Sequence, residues 1–125
     1  MAFPILDVRN LSISFPTKSG EVKAVKSVSF LIDRAQTLGL VGESGSGKSV
    51  TSLAIIGLLE ETSKVSGDVW FCDPNVSDAK PIDLVTLSLE DRRKYRGKLI
   101  SMIFQETVTS LNTVYTRGDQ LKEAL

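Results

Sequence analysis

The chain has 125 residues, fifteen basic against fifteen acidic side chains, and an apolar fraction of 42%. That is the size and balance of one globular domain able to bury a core. A formal net charge of zero leaves no global field to attract nucleic acid or anionic lipid, and no nucleic-acid partner is expected. Histidine is absent, which removes imidazole acid–base chemistry and histidine metal ligation, and the lone Cys72 removes an internal disulfide.

The opening, Met1 to Arg9, lacks a basic n-region followed by a long apolar core, so it does not read as a signal peptide. The longest apolar run, Leu53 to Leu59, is far too short to span a bilayer. A membrane link is therefore expected to come through a partner. Residues 3–8 and 11–15 have strand character, interrupted at Arg9-Asn10, and Pro16 to Gly20 has the composition of a turn. Val22 to Ile32 adds further strand, ended by Asp33-Arg34. The expectation is three or four short strands, mostly joined as hairpins.

Thr37-Leu38-Gly39-Leu40-Val41 then reads as a short buried strand running into Gly42-Glu43-Ser44-Gly45-Ser46-Gly47-Lys48-Ser49. This stretch fits G-x-x-x-x-G-K-[ST] at every fixed position. Glycines at 42, 45 and 47 permit positive φ and close backbone approach, so successive N–H groups can turn inward around phosphate oxygens. Lys48 can reach β- and γ-phosphates, and the Ser49 hydroxyl is small enough to sit on a bridging Mg²⁺. Val50 to Leu59 reads as a largely buried helix whose N-terminal dipole faces the anion. A glycine-rich turn before a helix is the plainer alternative, but strand, loop and helix coincide, and a nucleoside triphosphate is the expected ligand.

Beyond the helix, Gly67 to Cys72 reads as a strand and residues 73–82 as a polar surface loop. Ser88-Leu89-Glu90-Asp91 looks like a capping box for a helix closed by Gly97. Leu99 to Phe104 reads as a buried strand with Gln105 at its end, followed by a loop from Glu106 to Gly118 and a helix start at Asp119. Four features carry candidate chemistry. Phe15, ending a strand, could stack on a nucleobase or simply belong to the core. Gln105 could present its amide to a metal or to water, or be a solvated strand end. Asp73 closes an apolar run, but Asp73-Pro74-Asn75 has turn chemistry. Arg92, Arg93, Lys94, Arg96 and Lys98 form a basic cluster that reads better as a solvated helix face than as a nucleic-acid surface.

In order, Phe15, the loop 42–49 and Ile100-Ser101-Met102-Ile103-Phe104-Gln105 resemble the first part of an ATP-binding-cassette (ABC) transporter ATPase. Ile103 to Tyr115, with Thr109-Ser110-Leu111-Asn112, resembles the segment after the Q-loop glutamine in ATPase subunits of dipeptide and oligopeptide importers. Glu106-Thr107 and Thr113 stand where that subgroup has acidic-Pro and Pro. The stretches Val8 to Phe15 and Ala24 to Phe30 are similar to it too.

The resemblance implies an α/β fold, the P-loop NTPase core of a nucleotide-binding domain with an N-terminal antiparallel β layer. It assigns residues 1–36 to that layer, 37–105 to the core and 106–125 to the start of a helical subdomain. It implies ATP and Mg²⁺ as ligands, with Phe15 on adenine, residues 42–49 around the phosphates, Ser49 and Gln105 at the metal, and Gln105 sensing the γ-phosphate. Implied partners are transmembrane permease subunits and a second ABC ATPase subunit, at the cytoplasmic face of the membrane. The signature, Walker B and switch-histidine motifs of the family are not among these residues. The chain is thus expected to be a partial product, binding ATP weakly or not at all alone, hydrolysing none, with the edges of its phosphate-loop strand uncovered. A non-catalytic nucleotide-binding regulator that pairs with a full-length subunit is the other expectation; a GTPase is disfavoured because no Asn-Lys-x-Asp motif occurs.

Overall fold

In the computed structural model, residues 3–43 and 47–103 are described. Two long strands, β1 (Leu6–Thr17) and β2 (Gly20–Ile32), form an antiparallel hairpin around the expected turn. β3 (Lys64–Phe71) pairs antiparallel with the other edge of β1, and the two-residue β4 (Ile82–Asp83) extends β3, giving the order β2-β1-β3-β4. The antiparallel layer is present, and it is not confined to residues 1–36, because β3 and β4 complete it.

The interruption expected at Arg9-Asn10 is a bulge rather than a break. The register slips between Val8 and Leu11 against β2 and between Arg9 and Ser12 against β3, with Asn10 at φ 50°. One extra residue keeps Leu6, Val8, Leu11 and Ile13 buried on one face despite the odd spacing between Val8 and Leu11. β3 accommodates the bulge with Gly67, where a Cβ would lie 2.6 Å from the Arg9 carbonyl oxygen. β2 bends similarly at Ser27, at φ 49°, whose N–H donates to the Ser12 hydroxyl at 2.8 Å. The sequence therefore makes two long bulged strands where three or four short ones were expected.

Leu6, Val8, Leu11, Ile13, Val25, Val69 and Phe71 build the sheet's contribution to the core. Two helices complete it. α1 (Lys48–Ile56) buries Thr51, Ala54 and Ile56, and α2 (Leu89–Tyr95) sets the Tyr95 ring edge-on to Phe71 at 6.0 Å between centroids. α1 stops three residues before the expected Leu59, because Gly57 adopts φ 79° and the N–H groups of Gly57 and Leu58 bond back to the carbonyls of Ala54 and Leu53. This is a Schellman stop. The Ser88 half of the capping box forms, with Asp91 N–H donating to the Ser88 hydroxyl at 3.2 Å, while the Asp91 carboxylate pairs with Lys94. Asp73 closes β3 with an Asx turn, its carboxylate accepting from Asn75 N–H at 2.8 Å.

Two expected strands do not form. Residues 37–43 have no strand pairing, and in 99–103 only Ile100 makes an isolated bridge, to Arg96. A strand is held by ladder partners, and none of the four described strands lies beside either segment. Their apolar side chains are correspondingly uncovered: Val41 is 94% exposed and Ile103 90%.

Candidate functional site

The site is built on the hairpin and on the start of α1. Gly47 precedes the helix at φ 94°, a left-handed conformation that L side chains avoid. A Cβ there would meet the Ala24 carbonyl oxygen at 2.8 Å and Val25 Cγ2 at 3.1 Å. Glycine is thus required twice, for the backbone angle and for the contact that seats the loop's end on β2.

Among the described residues the first intrahelical bond is Thr51 N–H to the Gly47 carbonyl at 2.9 Å, and the N–H groups of Lys48, Ser49 and Val50 stand ahead of it in the first turn of α1. Those donors and the helix dipole make an anion-binding end. The Thr51 hydroxyl, on a residue only 5% exposed, donates to the same Gly47 carbonyl at 2.8 Å. Ser52 bonds the Lys48 carbonyl likewise at 3.3 Å. Sequence reasoning passed over Thr51; a hydroxyl four residues after the last loop glycine was the available signal.

Lys48 reaches back across the loop. Its ammonium donates to the Gly42 carbonyl and lies 3.4 Å from that of Glu43, which brings both ends of the motif together around one cation. Gly42, Glu43 and Ser49 are exposed, and Lys48 is half-buried. Ser44, Gly45, Ser46 and Gln105 lie outside the described residues, as do Phe104 and the expected helix start at Asp119.

Phe15 is half-buried on β1 and packs against the core, opposite Val22 of β2. Val22 stands two and three residues before Ala24 and Val25, which carry Gly47. The hairpin therefore serves Phe15 and the loop from one stretch of β2. Among the described residues no three acidic or cysteine side chains converge as a metal site.

The basic cluster differs from the expected solvated face in two members, Arg92 and Arg96, which are half-buried. Arg93, Lys94 and Lys98 are exposed, and Nη2 of Arg92 donates to the Val85 carbonyl at 2.8 Å. Burial pulls the Arg92 pKa below the ordinary guanidinium value, against an opposing pull from Asp83.

The described part of the motif thus combines a left-handed glycine, a helix N-terminus and a lysine turned back to the Gly42 carbonyl, beside an antiparallel layer. The sequence profile of the ABC transporter family matches residues 25–124, and the chain belongs to that family. Its relatives narrow the type. It is 43% identical to the dipeptide transport ATP-binding protein DppD of Haemophilus influenzae over 97% of this chain and 34% of that one. It is 44% identical to the oligopeptide transport ATP-binding protein OppD of the same organism, over 98% of this chain and 35% of that one. A putative peptide import ATP-binding protein of Brucella ovis is 43% identical, over 98% and 36%. The chain spans about a third of the length of these relatives.

Proposed function

We propose that residues 42–49 bind the triphosphate of ATP with Mg²⁺, as the nucleotide-binding part of an ATPase subunit that drives import of peptides or similar small solutes. The observation that carries this reading is the junction at Gly47, where a positive φ and contact with Ala24 hold the loop at the head of α1. Phosphate oxygens are stronger acceptors for Lys48 than the neutral carbonyls of Gly42 and Glu43 that it now meets. Ser49 takes the metal; Mg²⁺ neutralises phosphate charge when bound. Phe15 stacks on adenine, Ser44, Gly45 and Ser46 supply loop N–H groups, and Gln105 responds to the γ-phosphate and metal. Permease subunits and a second ABC ATPase subunit are the proposed partners, at the cytoplasmic face of the membrane. Among the described residues no helix is long and apolar enough to cross a membrane.

One observation favours a second reading, a non-hydrolytic module that pairs with a full-length ATPase subunit. Val41 and Ile103 expose apolar side chains in segments without strand pairing, which a neighbouring strand would cover. Competition among ATP, GTP and ADP tests the first reading: preference for ATP supports it, and preference for GTP removes it. ATP turnover by the purified chain, lost in Lys48→Ala, would decide against the non-hydrolytic module.

A further inference from the structure

α1 carries Lys48 and Ser49 at its head, and its other end meets α2 with Arg92 between them. The Arg92 stem lies against Gly57, immediately past α1: a Cβ on Gly57 would stand 2.8 Å from Arg92 Cδ and 3.2 Å from Nη1. Nη2 of the same guanidinium donates to the Val85 carbonyl, in the segment between β4 and α2. Nε is buried and makes no hydrogen bond among the described residues. A guanidinium kept half out of water with an unmade bond costs stability, which a shorter apolar residue would not. Its reach matters here. Arg92 lines a 240 Å³ cavity with Gly57, Glu60 and Val85, and a narrow gap of about 10 Å³ with Ile55, Ile56, Tyr95 and Ile100. It thus stands on both sides of the contact between the phosphate-loop helix and the element that leads into residues 99–103.

We propose that Arg92 is a positioning residue: it latches the C-terminal end of α1 to α2, so that the seating of Lys48 and Ser49 is coupled to α2 and the segment after it. The functional half of this statement rests on the nucleotide reading above; the latch itself does not. A solvated arginine of a basic helix face could be replaced freely. Arg92 cannot, because its stem fills the space beside Gly57 and its fork holds the Val85 carbonyl. Glycine at 57 is the matching surface, since any side chain there would displace the guanidinium.

Hydrogen exchange on the whole chain, without and with ATP and Mg²⁺, tests both halves, with Arg92→Met, Arg92→Lys and Lys48→Ala compared against the unaltered protein. Without nucleotide, Arg92→Met should lose at least about tenfold of the protection at Gly57 and Leu58, the scale of the charge-assisted hydrogen bond to Val85 whose loss frees the stem beside Gly57. Val8 and Val69 in the sheet should keep theirs within about threefold, showing that the variant folds. Arg92→Lys, which keeps charge and stem but loses the fork, should fall between. Added nucleotide should raise protection across Leu89–Tyr95 in the unaltered chain and not in Arg92→Met, although the variant still binds ATP. Unchanged protection at Gly57 and Leu58 in Arg92→Met overturns the latch; nucleotide-induced protection of α2 persisting in that variant overturns the coupling. If Lys48→Ala responds to ATP like the unaltered chain, the nucleotide reading fails and the coupling with it, while the nucleotide-free comparison still decides the latch.

Discussion

Gly47→Ala puts the largest structural demand on the smallest change. A non-glycine residue held near φ 94° costs about 1–2 kcal/mol. The new methyl would sit 2.8 Å from the Ala24 carbonyl oxygen and 3.1 Å from Val25 Cγ2. The first of these is backbone and Val25 is buried, so neither yields like the end of a flexible chain; overpacking of this kind costs a further ~1–3 kcal/mol. A destabilisation of roughly 2–5 kcal/mol follows from the two together. It is measured by urea denaturation followed through Trp70, the chain's one tryptophan. Gly39→Ala is the control, since nothing lies within 4 Å of a Cβ there and its backbone is not left-handed. That variant should be neutral or up to about 1 kcal/mol more stable. Should Gly47→Ala lose less than about 1 kcal/mol and match Gly39→Ala in ATP affinity, the seating of the loop on β2 is refuted.

Gly67→Ala drives a methyl against the Arg9 and Asn10 carbonyls, and a loss of about 2 kcal/mol or more is expected in the same denaturation assay. Val41→Lys and Ile103→Lys, at positions 94% and 90% exposed, should leave stability within about 0.5 kcal/mol while raising solubility, as measured by light scattering. Asp68 has a raised pKa, first through its hydrogen bond with Asp83, then through desolvation and the charge of Asp83. A carboxyl whose folded pKa is raised binds its proton more tightly when folded, so its contribution grows as pH falls through the folded pKa and levels off below the unfolded value near 3.9. Relative to Asp68→Asn, the unaltered chain should therefore gain stability on acidification across that window, and a flat difference in urea midpoints from pH 7 to 3 would count against the Asp68–Asp83 interaction.

The turn from Gly47 into α1 was legible because its signal is local: a glycine before a helical run states its geometry without reference to distant residues. The Ser88 cap and the Asp73 turn were legible for the same reason, each being settled within three residues. Arg9-Asn10 looked like the end of one strand and the start of another, since a break in alternation and a bulge leave the same mark in sequence. Only Gly67 on a neighbouring strand distinguishes them. Thr37–Val41 and Leu99–Phe104 had strand composition, but pairing is a property of two segments, and the described sheet offers them no partner. Arg92 was hidden among like charges; its inward turn follows from Gly57 and Val85, 35 and 7 residues away in sequence.

The central claim is that residues 42–49 hold a triphosphate through Lys48. Saturation-transfer NMR of ATP and Mg²⁺ with the 125-residue chain, which detects binding even at millimolar dissociation constants, tests it directly against Lys48→Ala. Removing a charge-assisted contact to phosphate should weaken binding by about tenfold or more, with the sheet still folded by hydrogen exchange. Equal ATP signals from the unaltered chain and a folded Lys48→Ala variant would contradict the account.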